Sequence, residues 1–232
     1  MSISSQLSEF KAGVQAELPL LVGVVPFGMI YGMLAVEAGL LPFEAQAMSA
    51  IVFAGSAQFI LTQLVSAGTP ALVMVLTAAI VNLRHVLYSA SLAPYLRSLR
   101  PAWKLVLAYF LTDEAYAVTI VHFTGSHNSP SLQRHYFLLG SGLTLWSSWQ
   151  LSTAAGIFLG ALIPAGWALD FTLPLIFIAL VVPRITSLAA ASAALTAGVI
   201  SIVALDMPYK LGLVVAAVTG ILAGMLVEGR EI

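Results

Sequence analysis

The chain has 232 residues, of which 60% are hydrophobic and 8% are charged, and its formal net charge is −1. A soluble globular domain carries about 25% charged residues, so this composition excludes a water-soluble domain and indicates a membrane protein. The nearly neutral charge gives no sign of a nucleic-acid partner. The absence of cysteine excludes disulfides, thiolate metal sites and cysteine nucleophiles.

Charge-free stretches of about 20 apolar residues predict the membrane spans in chain order. A short polar N-terminal segment, 1–16, lacks the apolar core of a removed signal peptide. Seven or eight spans follow, at 18–36, 43–66, 70–93, 103–123, within 136–164, at 185–205 and at 211–227, with the short stretch 171–182 as a further span or half-helix. We therefore predict an all-α, polytopic helical membrane protein with one or more broken helices and a single transmembrane transporter domain, 1–232.

Basic residues give a partial orientation, because short cytoplasmic loops are enriched in lysine and arginine. The connector with Arg97, Arg100 and Lys104 is the most basic loop, and Lys11 favours a cytoplasmic N-terminus as well. Three full membrane crossings between the N-terminus and this connector would place them on opposite sides of the membrane. Both are cytoplasmic if 43–66 is a broken or re-entrant segment that enters and leaves by the same face, and the alternative is an external N-terminus.

Four ionisable side chains interrupt the third and fourth apolar runs: Arg84, His85, Asp113 and Glu114. A charge near the middle of a span costs roughly 2.5–3.5 kcal/mol on insertion scales, so it needs a partner or a polar path. Arg84 is predicted as a fixed cation, and His85 can carry a proton near neutral pH. Adjacent acids point about 100° apart on a helix, so one can meet Arg84 while the other faces a cavity and holds a proton. The alternative is a structural ion pair that never changes state.

The motif FAGSAQF supplies small and polar residues at membrane depth, with Gly55, Ser56 and Gln58 inside the second segment. Transporters often unwind a helix at such a place to bind the charged ends of a substrate. The predicted substrate-binding residues are Phe53, Gly55, Ser56, Gln58 and Asn82, with Met48 and Phe59 as further apolar neighbours for an aliphatic side chain. The alternative is close helix packing, with Gln58 hydrogen-bonded across the helices.

Small residues at four-residue spacing predict close helix contacts, either within the chain or with a second subunit. They are Gly28 and Gly32; Ser152, Gly156 and Gly160; and Ala216, Gly220 and Gly224. We assign no metal site, since the spacing of His122, His127 and His135 is not that of metal ligands. The chain has no GxxxxGK[ST] motif for ATP hydrolysis and no arrangement typical of an enzyme, and we expect no cofactor.

Four blocks of sequence resemble the AzlC family of branched-chain amino acid permeases. They are GVVPFGMIYG (Gly23 to Gly32), MSAIVFAGSAQF (Met48 to Phe59), NLRHVLYSAS (Asn82 to Ser91) and LTDEAYAV (Leu111 to Val118). The resemblance implies a multi-pass protein of the bacterial inner membrane that exports branched-chain amino acids. It also implies a small hydrophobic partner subunit, AzlD.

Together with this resemblance, the observations predict a secondary transporter in the lipid bilayer, with alternating access around an amino-acid site near the middle of the membrane. A different class of function is also open: a non-catalytic membrane scaffold or assembly subunit, in which the four intramembrane charges hold helices together. A channel is a third and weaker alternative.

Overall fold

The computed structural model describes residues 3–125, 133–160, 185–205, 207 and 211–231, and its regular elements there are helical. The α-helices are α1 (Ile3–Glu17), α2 (Leu21–Glu37), α3 (Pro42–Val52), α4 (Gly55–Ser66), α5 (Ala71–Val81), α6 (Arg84–Leu96), α7 (Pro101–Tyr109), α8 (Asp113–Gly125), α9 (His135–Gly160), α10 (Leu188–Val203) and α11 (Leu211–Glu231). A 3-10 helix, Leu18–Leu20, joins α1 to α2. The predicted all-α architecture is confirmed for these residues.

Several predictions lie outside the described residues. They concern the apolar stretch 171–182, the end of the fifth span at Pro164, the loop residue His127, and Asp206, Pro208 and Lys210 of the turn before the last span.

Within the described residues, one helix is long and apolar enough to cross a membrane, the 34-residue stretch Ser4–Glu37 that includes α1 and α2. The pair α5 and α6 becomes a second if the two helices are counted as one span bent by 40°. The other apolar runs of the first 125 residues are divided into shorter helices. The number of seven or eight spans therefore stays a prediction.

The chain divides into two compact units. The first contains Met1–Val65 and Ala78–Leu162, and the second contains Ser66–Thr77 and Ile163–Ile232. Every candidate site residue named above lies in the first unit. The single transporter domain over the whole chain stays a prediction.

Helices α1 and α2 pack along α9 with their backbones in close contact. A Cβ atom on Gly13 would lie 2.1 Å from the carbonyl oxygen of Phe137, and one on Gly156 would lie 2.0 Å from that of Met29. On Gly28, a Cβ atom would lie 2.0 Å from Oγ of Ser152. Residues with higher numbers in α1 and α2 contact residues with higher numbers in α9, so α9 runs parallel to α1 and α2. Small residues allow this approach, as predicted for close packing within the chain.

In the second unit, α10 and α11 form a similar small-residue interface. A Cβ atom on Gly220 would lie 2.8 Å from the carbonyl oxygen of Ala193, and one on Gly224 would lie 3.1 Å from Cβ of Ala193. Ser187 caps the start of α10, because its hydroxyl oxygen accepts a hydrogen bond of 3.1 Å from the backbone N–H of Ala190. The prediction that small residues of the last helix pack within the chain is confirmed.

Candidate functional site

Three apolar segments, 43–66, 70–93 and 103–123, are broken near their middle. The breaks lie at Phe53–Ala54 between α3 and α4, at Asn82–Leu83 between α5 and α6, and at Phe110–Thr112 between α7 and α8. The expected break in segment 43–66 is confirmed. The third and fourth spans, for which the sequence predicted no particular break, are each interrupted as well.

The first break depends on Phe53, which lies in the left-handed region with φ 38° and ψ 49°. This conformation costs a non-glycine residue about 1–2 kcal/mol, so tertiary contacts have to hold it. The Phe53 ring is buried and packs 5.9 Å from the ring of Tyr109, between centroids. The Tyr109 hydroxyl donates a 2.6 Å hydrogen bond to the carbonyl of Ala50. The irregular backbone thus precedes Gly55 and Ser56, where the sequence had suggested it.

Arg84 connects the three broken segments. Its Nη1 donates a hydrogen bond to Oδ2 of Asp113, and its Nη2 donates one of 2.6 Å to Oγ of Ser56. Arg84 is the first residue of α6, Asp113 is the first residue of α8, and Ser56 is the second residue of α4. The second halves of all three segments therefore begin at one cluster, Ser56–Arg84–Asp113.

The helix start at Asp113 follows from its local sequence. The Thr112 side chain accepts a 3.4 Å hydrogen bond from the backbone N–H of Ala115, which places Thr112 at the N-cap. A carboxylate in the first turn is favoured by the helix dipole. Asp113 is thus held at the helix start by backbone chemistry and by the Arg84 guanidinium.

The ion pair leaves hydrogen-bonding capacity unused. Nε of Arg84 and Oδ1 of Asp113 are shielded from solvent and have no hydrogen-bond partner among the described residues. The whole side chains are 30% and 29% exposed. One unused donor therefore lies beside one unused acceptor at the junction of three helices.

Glu114 follows Asp113 directly in the sequence but lies in different surroundings. It is half-buried and interacts electrostatically with Glu17 of α1. The two acids of the fourth segment thus face different surroundings, as their 100° separation on a helix predicts.

Asn82 and His85 lie at the second break. Nδ1 of His85 is 3.1 Å from the backbone carbonyl oxygen of Asn82, and both side chains are half-buried. Oδ1 of Asn82 is buried without a hydrogen-bond partner in the described part of the chain. The ring of His85 meets Tyr88 edge-on at 5.8 Å. Because both residues are within two positions of Arg84 in the sequence, they lie next to the Ser56–Arg84–Asp113 cluster.

Gln58 lies on another face of α4 from Ser56. It is fully buried, and its Oε1 accepts a 3.2 Å hydrogen bond from Nε1 of Trp149 on α9. Gly55 packs on the same indole ring, since a Cβ atom there would lie 3.1 Å from it. The predicted binding set is therefore divided: Ser56 faces Arg84, whereas Gly55 and Gln58 face Trp149.

The apolar candidates are divided in the same way. Phe59 is buried and meets the rings of Phe27 and Tyr31 edge-on, at 5.4 and 6.2 Å between centroids. Met48 is half-buried on α3. Phe53 lies at the break itself, three residues before Ser56.

Sequence reasoning missed a polar ladder between α3 and α9. Nε2 of Gln46 donates a 2.6 Å hydrogen bond to Oε1 of Gln150, and the hydroxyls of Ser49 and Thr153 are 3.1 Å apart. Gln46 and Ser49 are three residues apart on α3, and Gln150 and Thr153 are three residues apart on α9. Each helix therefore carries its two polar residues on one face. That spacing was the available signal. Glu17 was also missed, because it directly precedes the predicted first span, 18–36.

Discontinuous helices around an ion pair, with many large apolar side chains exposed, are typical of a helical membrane protein. The AzlC protein family model matches residues 19–163, more than half of the chain. The chain belongs to the AzlC family, and the resemblance seen in its four sequence blocks is confirmed.

Similar proteins are membrane proteins of bacteria and archaea. The inner membrane protein YgaZ of Escherichia coli is 30% identical over 174 residues, which cover 72% of this chain and 70% of that protein. An uncharacterized membrane protein of Archaeoglobus fulgidus is 30% identical over 185 residues, or 78% of each chain. One of Helicobacter pylori is 28% identical over 156 residues, covering 67% of this chain and 66% of the other. No solved structure matches the chain.

Proposed function

We propose that this protein is a secondary transporter that exports branched-chain amino acids across the inner membrane, together with a small AzlD-like subunit. Membership of the AzlC family supports a role in membrane transport. Export, the substrate class and the partner subunit come from the family resemblance and form the proposal.

The observation that carries the proposal is the meeting of three broken segments at Ser56, Arg84 and Asp113. In many transporters, interrupted helices place backbone groups and helix ends at the substrate site near the middle of the membrane. A structural helix pair alone does not require a break in each partner. The coincidence of three breaks with one ion pair supports a binding site.

The unused atoms of the ion pair match the ends of an amino acid. Nε of Arg84 can donate to a carboxylate, and Oδ1 of Asp113 can accept from an ammonium group. Both atoms are shielded in this conformation, so a substrate reaches them only when α6 or α8 moves. Such a movement is what alternating access requires.

The aliphatic side chain of the substrate needs an apolar surface near these groups. Phe53 lies at the first break, three residues before Ser56, and provides a buried ring at that place. Gln58 and Gly55 act in the proposal through Trp149, by holding the start of α4 in position. Asn82 contributes its unused Oδ1 at the second break.

The direct test is counterflow of radiolabelled leucine in proteoliposomes that contain this chain with and without an AzlD-like subunit. We expect saturable counterflow, which valine and isoleucine inhibit and lysine does not. The absence of leucine flux in the presence of the partner would contradict the proposal. Flux that does not saturate would indicate a channel.

Coupling to protons is tested on the two acids of α8. We expect Asp113→Asn to lose leucine counterflow, because the substrate loses a partner. Glu114→Gln should keep counterflow and lose the response of efflux to an imposed proton gradient. Efflux that depends fully on the gradient in both variants would exclude these residues from coupling.

A membrane scaffold or assembly subunit is the second candidate. The observation that favours it is the direct bond of Arg84 to Asp113, since a pair of opposite charges joins α6 to α8 whether or not anything is transported. In that case the chain and its partner form a stable complex but move no solute in the counterflow experiment.

A further inference from the structure

Glu17, the last residue of α1, has no solvent-exposed surface. Neither of its carboxyl oxygens has a hydrogen-bond partner in the part of the chain that the structure describes. A buried carboxylate without a partner costs several kcal/mol. A group of this kind persists when it carries a proton or receives a cation during function.

The position of Glu17 beside α8 follows from helix register. Glu9 of α1 forms an ion pair of 3.0 Å with His122 of α8. Glu17 interacts electrostatically with Glu114. Glu17 follows Glu9 by eight residues and Glu114 precedes His122 by eight, so α1 and α8 are antiparallel with a constant register over about 12 Å. An acid–histidine pair lies at one end of this interface and an acid–acid pair at the other.

Few other charges face Glu17 from the helices packed around it. On α9 the titratable side chains are His135 and Tyr136, in the first two positions of the helix. On α2 they are Tyr31 and Glu37, more than three helical turns from Glu17 along the chain. Of the remaining groups on α1 and α8, Lys11 is exposed, Glu9 is bound to His122, Asp113 is bound to Arg84, and the Tyr116 hydroxyl donates a hydrogen bond to Ser91. Tyr88 of α6 interacts electrostatically with Glu114.

Glu17 is fully buried and Glu114 is half-buried, and ionising both is unfavourable because like charges repel strongly in a medium of low dielectric. One proton on either carboxyl group removes this repulsion. It also removes the cost of an ionised Glu17. The Arg84–Asp113 pair differs, because the guanidinium already balances the carboxylate there.

We propose that Glu17 and Glu114 form a two-carboxyl site that holds one exchangeable proton and couples transport to the proton gradient. This inference rests on the transporter function proposed above, and it adds Glu17, on α1, to that mechanism. Loading the site converts one carboxylate into a carboxylic acid, and release returns the proton to water without any other bond change. The substrate is bound separately, at Ser56, Arg84 and Asp113.

The test compares Glu17→Gln with wild-type protein in proteoliposomes at zero membrane potential. For one proton per substrate, a gradient of one pH unit changes the leucine distribution about tenfold at equilibrium. We expect this accumulation in wild type and its absence in Glu17→Gln, while counterflow without a gradient continues. The matched control is Glu37→Gln, an exposed acid at the end of α2, which should accumulate leucine like wild type.

A second measurement does not depend on transport. Infrared difference spectra between acidic and alkaline medium contain C=O bands from every carboxyl group that titrates in that range. One band component that is present in wild type should be absent from both Glu17→Gln and Glu114→Gln. An unchanged band in both variants, or gradient-driven accumulation in Glu17→Gln, overturns the inference. Wild-type protein that shows the band but transports no leucine contradicts the proposed substrate and leaves the proton site supported.

Discussion

Two groups of helices in this chain are built on different principles. Along α1, α2 and α9, helices pack through glycines with their backbones in contact. From α3 to α8, the helices have 9 to 13 residues, and polar side chains gather where they are interrupted. Packing in lipid lacks a hydrophobic driving force between helices, so small residues provide close contact. Close packing therefore depends on small residues of α1, α2 and α9, whereas the polar groups of the candidate site lie at the starts of α4, α6 and α8.

Arg84→Gln should have the largest effect, because it removes the group that joins the three broken segments. Hydrogen bonds to charged groups are worth about 1.5–3 kcal/mol each, so losing two lowers leucine counterflow by about two orders of magnitude or more. The measurement is counterflow per unit of folded protein. Arg97→Gln, in the exposed basic connector, is the control and should transport like wild type. Full counterflow in Arg84→Gln would remove the distinction between the two groups of helices.

Gly156→Ala should act on stability. The added Cβ atom would overlap the carbonyl oxygen of Met29, and overpacking of this kind costs about 1–3 kcal/mol. At this chain length each kcal/mol lowers Tm by about 2–4 °C. The control is Gly23→Ala, which is also on α2 but has no atom within 4 Å of the added Cβ.

The thermal unfolding experiment first gives a temperature at which the Gly156→Ala variant is folded. At that temperature the variant should show the same leucine counterflow as wild type. A Tm equal to that of Gly23→Ala would show that the glycine contacts do not determine stability.

Ser56→Ala should have the smallest effect. It removes one acceptor of Arg84, while the bond to Asp113 stays. A net loss of about 1 kcal/mol corresponds to roughly fivefold slower counterflow. Ser66→Ala, exposed at the other end of α4, provides the comparison at the same temperature. Equal rates in the two variants would mean that Ser56 does not contribute to the site.

Much of the architecture was predictable from local sequence. The apolar composition indicated a membrane protein, and the small residues before Gln58 indicated a broken segment. The breaks at Asn82–Leu83 and Phe110–Thr112 were not predicted, since neither contains glycine or proline. They depend on side-chain partners from other helices, such as Ser56 and Asp113 for Arg84, which a local pattern does not contain.

Composition and the order of charges along the chain established that ionisable groups interrupt the third and fourth apolar segments. The tertiary structure determines which groups interact. Arg84 binds Asp113, Glu114 interacts electrostatically with Glu17, and Gln58 accepts a hydrogen bond from Trp149. Adjacent residues on a helix point in different directions, and the rotation of each helix is set by packing against its neighbours. The partner of each polar side chain is therefore a property of the assembled helices.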